Sequence, residues 1–160
     1  MTKGFLAMFA AVVMVSSAFS NSMAQGVGFK GIGVRLGLVE PEGPNNTTVF
    51  VGGHADFGEI IPNLNLYPSL EFSRKNSFTI VAINTDVRYY LPVVSIVKPF
   101  AGGGLAILAT SGDSDVGLDL LGGVDFPVAL NITAFTKLKF TISDNNIFRL
   151  TGGITFNLFE

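Results

Sequence analysis

The sequence is poor in cysteine, tryptophan and charge. It contains no cysteine and no tryptophan among 160 residues, so a disulfide framework is excluded. Charged residues make up 14% of the chain, whereas about 25% is usual in soluble domains. Ten Lys and Arg stand against twelve Asp and Glu. That balance leaves no basic excess, and we expect no nucleic-acid partner.

Beyond its first 24 residues the chain also lacks a long apolar run. No segment there approaches the roughly 18 consecutive apolar residues typical of a transmembrane helix. The apolar residues there are instead scattered among 18 of the chain's 19 glycines, and glycine together with many β-branched and aromatic residues disfavours helices. If this chain meets lipid, it does so with strands.

Residues 1–24 have the pattern of a secretory signal peptide. Lys3 precedes an apolar run over residues 5–15, and small polar residues lead to Ala24. A transmembrane anchor needs about 20 apolar residues, so the pattern favours a cleaved signal. We predict a signal peptide over residues 1–24 and one domain over residues 25–160.

The remaining sequence alternates apolar residues with polar or small ones at period two, the spacing of a β-strand. Eight such segments are separated by turn-forming residues. In the last segment, Leu150, Ile154 and Phe156 alternate with Thr151 and Thr155. Only the fifth, KPFAGGGLAILAT, is small or apolar on both faces. We predict an all-β fold: an eight-stranded antiparallel up-and-down transmembrane β-barrel with short loops, closed by pairing of the last strand with the first.

The predicted connections differ between the two ends of this barrel. Those after the odd-numbered strands are polar: residues 40–47, 74–77, 111–115 and 143–146. Those after the even-numbered strands are more apolar: residues 58–63, 91–98 and 126–129. An even strand number places both chain ends on the second side, which would face the periplasm if the barrel lies in an outer membrane.

The non-apolar face of the strands distinguishes a membrane barrel from a soluble one. A face exposed to water would be crowded with charge, whereas this face is mostly Gly, Ser, Thr and Asn. Such a face suits a narrow barrel interior with lipid outside. The charged and histidine side chains predicted to point inward are Arg35, His54, Asp56, Glu71, Asp86, Arg88, Asp119, Asp125, Lys137, Lys139 and Arg149.

Charges inside a barrel must be paired, because removing one partner of a buried pair costs about 3–5 kcal/mol. We expect Asp86 to pair with Arg88 on the same strand. We also expect Asp119 and Asp125 to lie opposite Lys137 and Lys139. The resulting network is predicted to be structural rather than catalytic.

Two segments carry a resemblance to a known group of proteins. TDVRYYLP (residues 85–92) and VKPFAGGGLAI (residues 97–107) resemble the central strand pair of small bacterial outer-membrane β-barrel proteins. This class includes the OmpA-like transmembrane domain and belongs to the porin-like superfamily. The resemblance implies an outer-membrane location surrounded by lipid, and a structural or surface-interaction role.

The C-terminal stretch TGGITFNLFE resembles the signal by which the barrel-assembly machinery recognises such proteins. The resemblance implies that Thr151, Gly153, Phe156 and Leu158 form this signal. The stretch departs from the usual pattern because Phe159 and Glu160 follow its last alternating position. Upstream, Pro68 falls on the apolar face of the third strand without a backbone donor, which predicts a bulge or a local opening of the sheet there.

Two alternatives, a channel and a soluble barrel, remain open from the sequence. A narrow channel for solutes or ions would need Gly102 to Gly104 to leave a gap in the lumen. A soluble periplasmic lipid-binding barrel would point the apolar faces inward. An enzyme would need a histidine beside a serine on the outer surface, whereas His54 has Gly53 and Ala55 as neighbours. We therefore expect no catalytic residue, and no cofactor or metal, since the calcium-like DSDVG at residues 113–117 lacks the later glutamate.

Overall fold

The computed structural model describes residues 27–43 and 47–158. The predicted signal peptide, part of the first connection, and Phe159 and Glu160 lie outside the described residues. Eight β-strands follow one another in the described part: β1 (Val27–Pro41), β2 (Thr48–Ile61), β3 (Leu64–Lys75), β4 (Phe78–Tyr90), β5 (Lys98–Thr110), β6 (Asp113–Ala129), β7 (Ile132–Ile142) and β8 (Ile147–Asn157). No helix among these residues is long and apolar enough to cross a membrane.

The strands form a closed antiparallel barrel in chain order. β8 pairs with β1 over eleven residue pairs, from Gly31 with Asn157 to Pro41 with Ile147. This closure satisfies the backbone groups that an open sheet would expose at its two edges. The predicted eight-stranded, up-and-down barrel is confirmed.

The side-chain alternation follows the predicted faces. On β1, Val34 and Leu36 are 58% and 63% exposed, while Arg35 between them is 2% exposed. On β6, Leu118 and Leu120 point outward and Asp119 is fully buried. The apolar face therefore lies on the outside, and the soluble alternative with inward apolar faces is wrong. The ambiguous β5 is resolved as well, because Phe100, Ala106 and Leu108 are buried inside.

The barrel has two chemically different ends. Four connections of mostly polar residues lie at one end, which we call the polar end; their described residues are 42–43 and 47, 76–77, 111–112 and 143–146. The other, apolar end carries residues 62–63, 91–97 and 130–131, where Val94 and Leu130 are 109% and 93% exposed. Near the polar end the interior holds an apolar cluster of Val39, Phe50, Ala82, Ala106, Leu108 and Ile147.

Several connections are shorter than predicted because the strands continue into them. The predicted connection at residues 126–129 belongs to β6, and Leu130 and Asn131, predicted on the seventh strand, form the turn. Proline at 127 suggested a break, but a register shift between Pro127 and Ala129 accommodates it within the strand. At the β2–β3 and β3–β4 turns, Asn63 and Asn76 adopt left-handed backbone angles, with φ of 65° and 55°, which asparagine tolerates better than most residues.

The bulge predicted at Pro68 is present, although its extra residue is on the neighbouring strand. β2 and β3 pair regularly up to His54 with Ser69, and again from Glu59 with Asn65. Between those pairs β2 has four residues and β3 has three, and Pro68 is one of the three. Gly58 in the bulge has a φ of 70°. Its N–H donates a 2.7 Å hydrogen bond to Oδ1 of Asp56.

Candidate functional site: the charged lumen

The structure places all eleven predicted inner residues inside the barrel, none more than 8% exposed. Their formal charges balance. The five acids are Asp56, Glu71, Asp86, Asp119 and Asp125, and the five bases are Arg35, Arg88, Lys137, Lys139 and Arg149. Charge balance matters here because an uncompensated charge in a narrow interior is costly.

The centre of the lumen holds a chain of lysines and aspartates. Asp86 accepts hydrogen bonds from Nζ of Lys137 at 2.9 Å and from Nζ of Lys139 at 2.7 Å. Lys139 also donates to Asp119 at 2.7 Å. Thr141 donates to the other oxygen of Asp119 at 2.6 Å and accepts from Arg149 at 2.8 Å. These contacts link β4, β6, β7 and β8.

The predicted pairing of these charges was partly wrong. Asp86 pairs with the two lysines and not with Arg88, whose partner is Asp125 at 3.5 Å. The expected pairing of Asp119 with a lysine of β7 is present, because Lys139 lies 2.7 Å from it. In the strand register, however, Asp119 lies opposite Thr141, and Asp125 lies opposite Phe135. The physical reason is the narrow interior, in which long side chains reach across the lumen to strands that are not neighbours in the sheet.

A second group of contacts surrounds Glu71. Arg35 and Arg149 lie 3.3 Å and 3.4 Å from its two carboxylate oxygens. Nε of Arg35 also donates to Nδ1 of His54 at 3.4 Å, and Nε2 of His54 lies 2.8 Å from the hydroxyl of Thr155. Because Nδ1 accepts, Nε2 carries the proton of the neutral ring. His54 is thus a hydrogen-bonded interior residue without access to the outer surface.

Arg88 lies among aromatic rings that the sequence did not single out as a group. Its Cζ atom is 3.9 Å from the ring centre of Tyr67, 4.5 Å from that of Phe100 and 4.9 Å from that of Phe135. Stacking on ring faces favours the guanidinium cation. It also accounts for the two nitrogens, Nε and Nη2, that make no hydrogen bond within the described residues. In the sequence, Phe135 has the same position in the strand alternation as Lys137 and Lys139, which were predicted to point inward. That shared position could have placed the Phe135 ring in the lumen.

Toward the apolar end, four polar side chains form a hydrogen-bonded row across the lumen. Tyr67 donates to Asp56 at 2.9 Å, the hydroxyls of Tyr67 and Tyr90 are 3.0 Å apart, and Tyr90 donates to Asp125 at 2.6 Å. The row joins β2, β3, β4 and β6. It lies between the charged centre and the mouth at the apolar end.

Two glycines of β5 lie opposite charged residues of β4 in the strand register. Gly102 pairs with Arg88 and Gly104 with Asp86, the two large polar side chains of β4 at this level. A Cβ atom on Gly104 would lie 2.9 Å from Oδ1 of Asp86. Gly104 therefore provides space for the Asp86 carboxylate, while a Cβ atom on Gly102 would meet the backbone of Val87 and Arg88.

The predicted assembly signal divides between the two faces of β8. Thr151 is 1% exposed and Gly153 pairs with Arg35 of β1, so both face inward. Phe156 and Leu158 point outward and are 38% and 50% exposed. Recognition by an assembly factor stays a prediction. Among the described residues, no group of three or more His, Cys, Asp or Glu could hold a metal ion.

No protein-family model matches the sequence, and no curated protein is significantly similar to it. Solved structures resemble it in fold. Neisserial surface protein A has a TM-score of 0.69 at 15% identity, covering 80% of this chain and 96% of that one. The N-terminal β-barrel domain of Pseudomonas aeruginosa OprF has a TM-score of 0.63 at 13% identity, covering 84% and 100%.

The attachment invasion locus protein Ail of Yersinia pestis has a TM-score of 0.52 at 12% identity, covering 81% of this chain and 98% of that one. All three are eight-stranded outer-membrane barrels. Identities this low establish the fold alone. The chain thus has the fold of the small bacterial outer-membrane β-barrels.

Proposed function

We propose that this protein is a non-enzymatic, integral outer-membrane β-barrel with a structural or surface-interaction role and a lumen closed by side chains. The observation that carries the proposal is the pairing of an apolar outer face with a charge-balanced interior. Val34, Leu36 and Val116 are each more than half exposed, and exposing such side chains to water all around a barrel would be unfavourable. A lipid environment removes that cost.

The contacts inside the barrel support a closed lumen. The charged centre and the tyrosine row cross the interior at two successive levels. Eight strands enclose an interior just wide enough for side chains to fill. A narrow channel is the less favoured function, because the Asp86 carboxylate lies against Gly104 and is bound from across the lumen by Lys137 and Lys139.

The surface role is supported by the names of two proteins with this fold, a Neisserial surface protein and an attachment invasion locus protein. In our proposal the polar end faces the outside of the cell and the apolar end faces the periplasm. Residues 1–24 direct export and are removed. The barrel-assembly machinery then inserts the chain through β8.

The proposal is tested by expressing the full chain in a Gram-negative host and washing the membranes with alkaline carbonate. We expect the protein in the pellet, a faster-migrating band on an unboiled gel, and a mature mass that lacks residues 1–24. In planar bilayers the purified barrel should give no discrete conductance steps. A carbonate-soluble protein would refute the membrane location, and stepwise conductance would refute the closed lumen.

A further inference from the structure

A cavity of about 540 Å³ opens at the polar end of the barrel. Its walls come from seven of the eight strands, all but β7, and from three of the connections between them. The inner part is apolar and includes Ile80, Leu108 and Ile147. Leu108 and Ile147 belong to the interior apolar cluster. Membrane barrels usually have polar interiors, so an apolar floor facing an open mouth is a distinct feature.

The cavity is closed from below. The next cavity toward the centre has a volume of only about 10 Å³ and is lined by residues that include Val39, Phe50, Glu71 and Arg149. A space of that size admits no more than a water molecule. An occupant of the upper cavity would therefore enter and leave at the polar end.

The mouth of the cavity is acidic. Its lining includes three carboxylates, Glu42, Asp113 and Asp115, and one lysine, Lys75. The backbone orients two of these carboxylates. Oδ1 of Asp113 accepts from the N–H of Ser114, and Oδ1 of Asp115 accepts from the N–H of Val116, each at 2.8 Å. The net formal charge around the mouth favours a cation over an anion.

We infer that this cavity is a binding site for a small amphipathic cation, an organic ammonium ion with an apolar body. The body contacts Ile80, Leu108 and Ile147, and the ammonium group lies near Asp113 and Asp115. The volume is within the range of about 300–1,000 Å³ typical of small-molecule sites. This inference goes beyond the proposed function and does not depend on which membrane holds the barrel, because one chain forms the whole cavity.

The absence of tryptophan from this chain permits a direct test with an indole probe. The full barrel is reconstituted in lipid nanodiscs and titrated with tryptammonium, and with indolepropionate as the matched anion. Indole emission shifts to the blue when the ring enters an apolar site. Nanodiscs without protein measure the partition of each probe into lipid. We expect saturable tryptammonium binding above that background, and at least fivefold weaker binding of the anion.

Two variants test whether the carboxylates at the mouth of the cavity cause the preference for the cation. The double substitution Asp113→Asn and Asp115→Asn keeps an Oδ1 acceptor for the N–H groups of Ser114 and Val116 and gives up only the 3.2 Å contact of Asp115 Oδ2 with the N–H of Asp144. It should weaken tryptammonium binding about three- to tenfold. Glu59→Gln removes one carboxylate at the opposite end of the barrel and should leave binding unchanged. The faster-migrating band on unboiled gels verifies that each variant is folded. Binding no greater than in empty nanodiscs, equal affinity for the two probes, or wild-type affinity in the double variant would overturn the inference.

Discussion

Lys139 on β7 donates a 2.7 Å hydrogen bond to Asp86 on β4, although β5 and β6 separate these strands in the sheet. The contact therefore crosses the lumen. Asp86 binds Lys137 in the same way at 2.9 Å. One carboxylate thus compensates two lysines from the opposite wall, and the barrel is held together by its interior as well as by its backbone pairs.

This relationship predicts the effect of removing the carboxylate charge at Asp86. In Asp86→Asn, Lys137 loses its ion-pair partner among the described residues, while Lys139 keeps Asp119. Breaking a buried pair on one side should lower the free energy of unfolding by about 3–5 kcal/mol. Urea unfolding in lipid vesicles measures this. The control is Glu40→Gln, at an exposed position on β1, which should change stability by less than about 0.5 kcal/mol. Equal stability of both variants would contradict the account.

An arginine on the lipid-facing surface should destabilise the barrel more near the middle of the bilayer than at its edge. Two leucines at different depths test this. Leu120 lies near the middle of β6 and is 53% exposed, and Leu130 lies in the turn at the apolar end and is 93% exposed. Leu120→Arg should destabilise the barrel in lipid by about 2–4 kcal/mol, and Leu130→Arg by about 0–1 kcal/mol. Unfolding in vesicles of defined composition compares them. A Leu130 variant as damaging as the Leu120 variant would mean that the lipid belt extends over the apolar end.

The third prediction concerns the hydrogen-bonded row of Tyr67 and Tyr90 and compares two neighbouring tyrosines of β4. Tyr90→Phe removes the hydroxyl that donates to Asp125 at 2.6 Å and contacts Tyr67 at 3.0 Å. Leaving Asp125 without this donor should cost about 1–3 kcal/mol. Tyr89→Phe is the matched control, because Tyr89 points outward and is 42% exposed. The difference between the two unfolding free energies is the readout, and a difference near zero would show that the row contributes nothing to stability.

Much of the fold was predictable because period-two alternation is a local property. On β1 and β6 the apolar parity alone predicted which side chains face outward, and the need to pair the backbone groups of both sheet edges predicted the closure of β8 on β1. The pairing of the interior charges was not predictable in the same way. Arg88 was expected beside Asp86, yet the distance across the lumen determines its contacts with Asp125 and the aromatic rings, and no spacing along the chain encodes that distance.

The ends of strands were also harder to predict than their faces. Pro127 is a turn signal in the sequence, but the strand carries it through a register shift near Ala129. Conversely, Pro68 marked the right place for the bulge while the extra residue is on β2. A proline in the sequence indicates only that its own strand lacks one backbone N–H donor. Which of two paired strands adjusts depends on residues that the partner supplies, here Asp56 and Gly58.

The last prediction concerns the glycine of that bulge. It compares an alanine substitution at a left-handed glycine with one at a glycine whose backbone is not left-handed. Gly58 has a φ of 70°, and an L-residue held in a left-handed conformation costs roughly 1–2 kcal/mol. Gly28 on β1 has a negative or extended φ, and no atom lies within 4 Å of a Cβ built on it. We expect Gly58→Ala to lower the free energy of unfolding by about 1–2 kcal/mol. Gly28→Ala should be neutral or stabilising by less than about 1 kcal/mol. Urea unfolding of the two variants under identical conditions checks both values. If Gly58→Ala were as stable as the wild type, the bulge would have to exist without a left-handed residue, and the hydrogen bond from Gly58 to Asp56 would not be what fixes its shape.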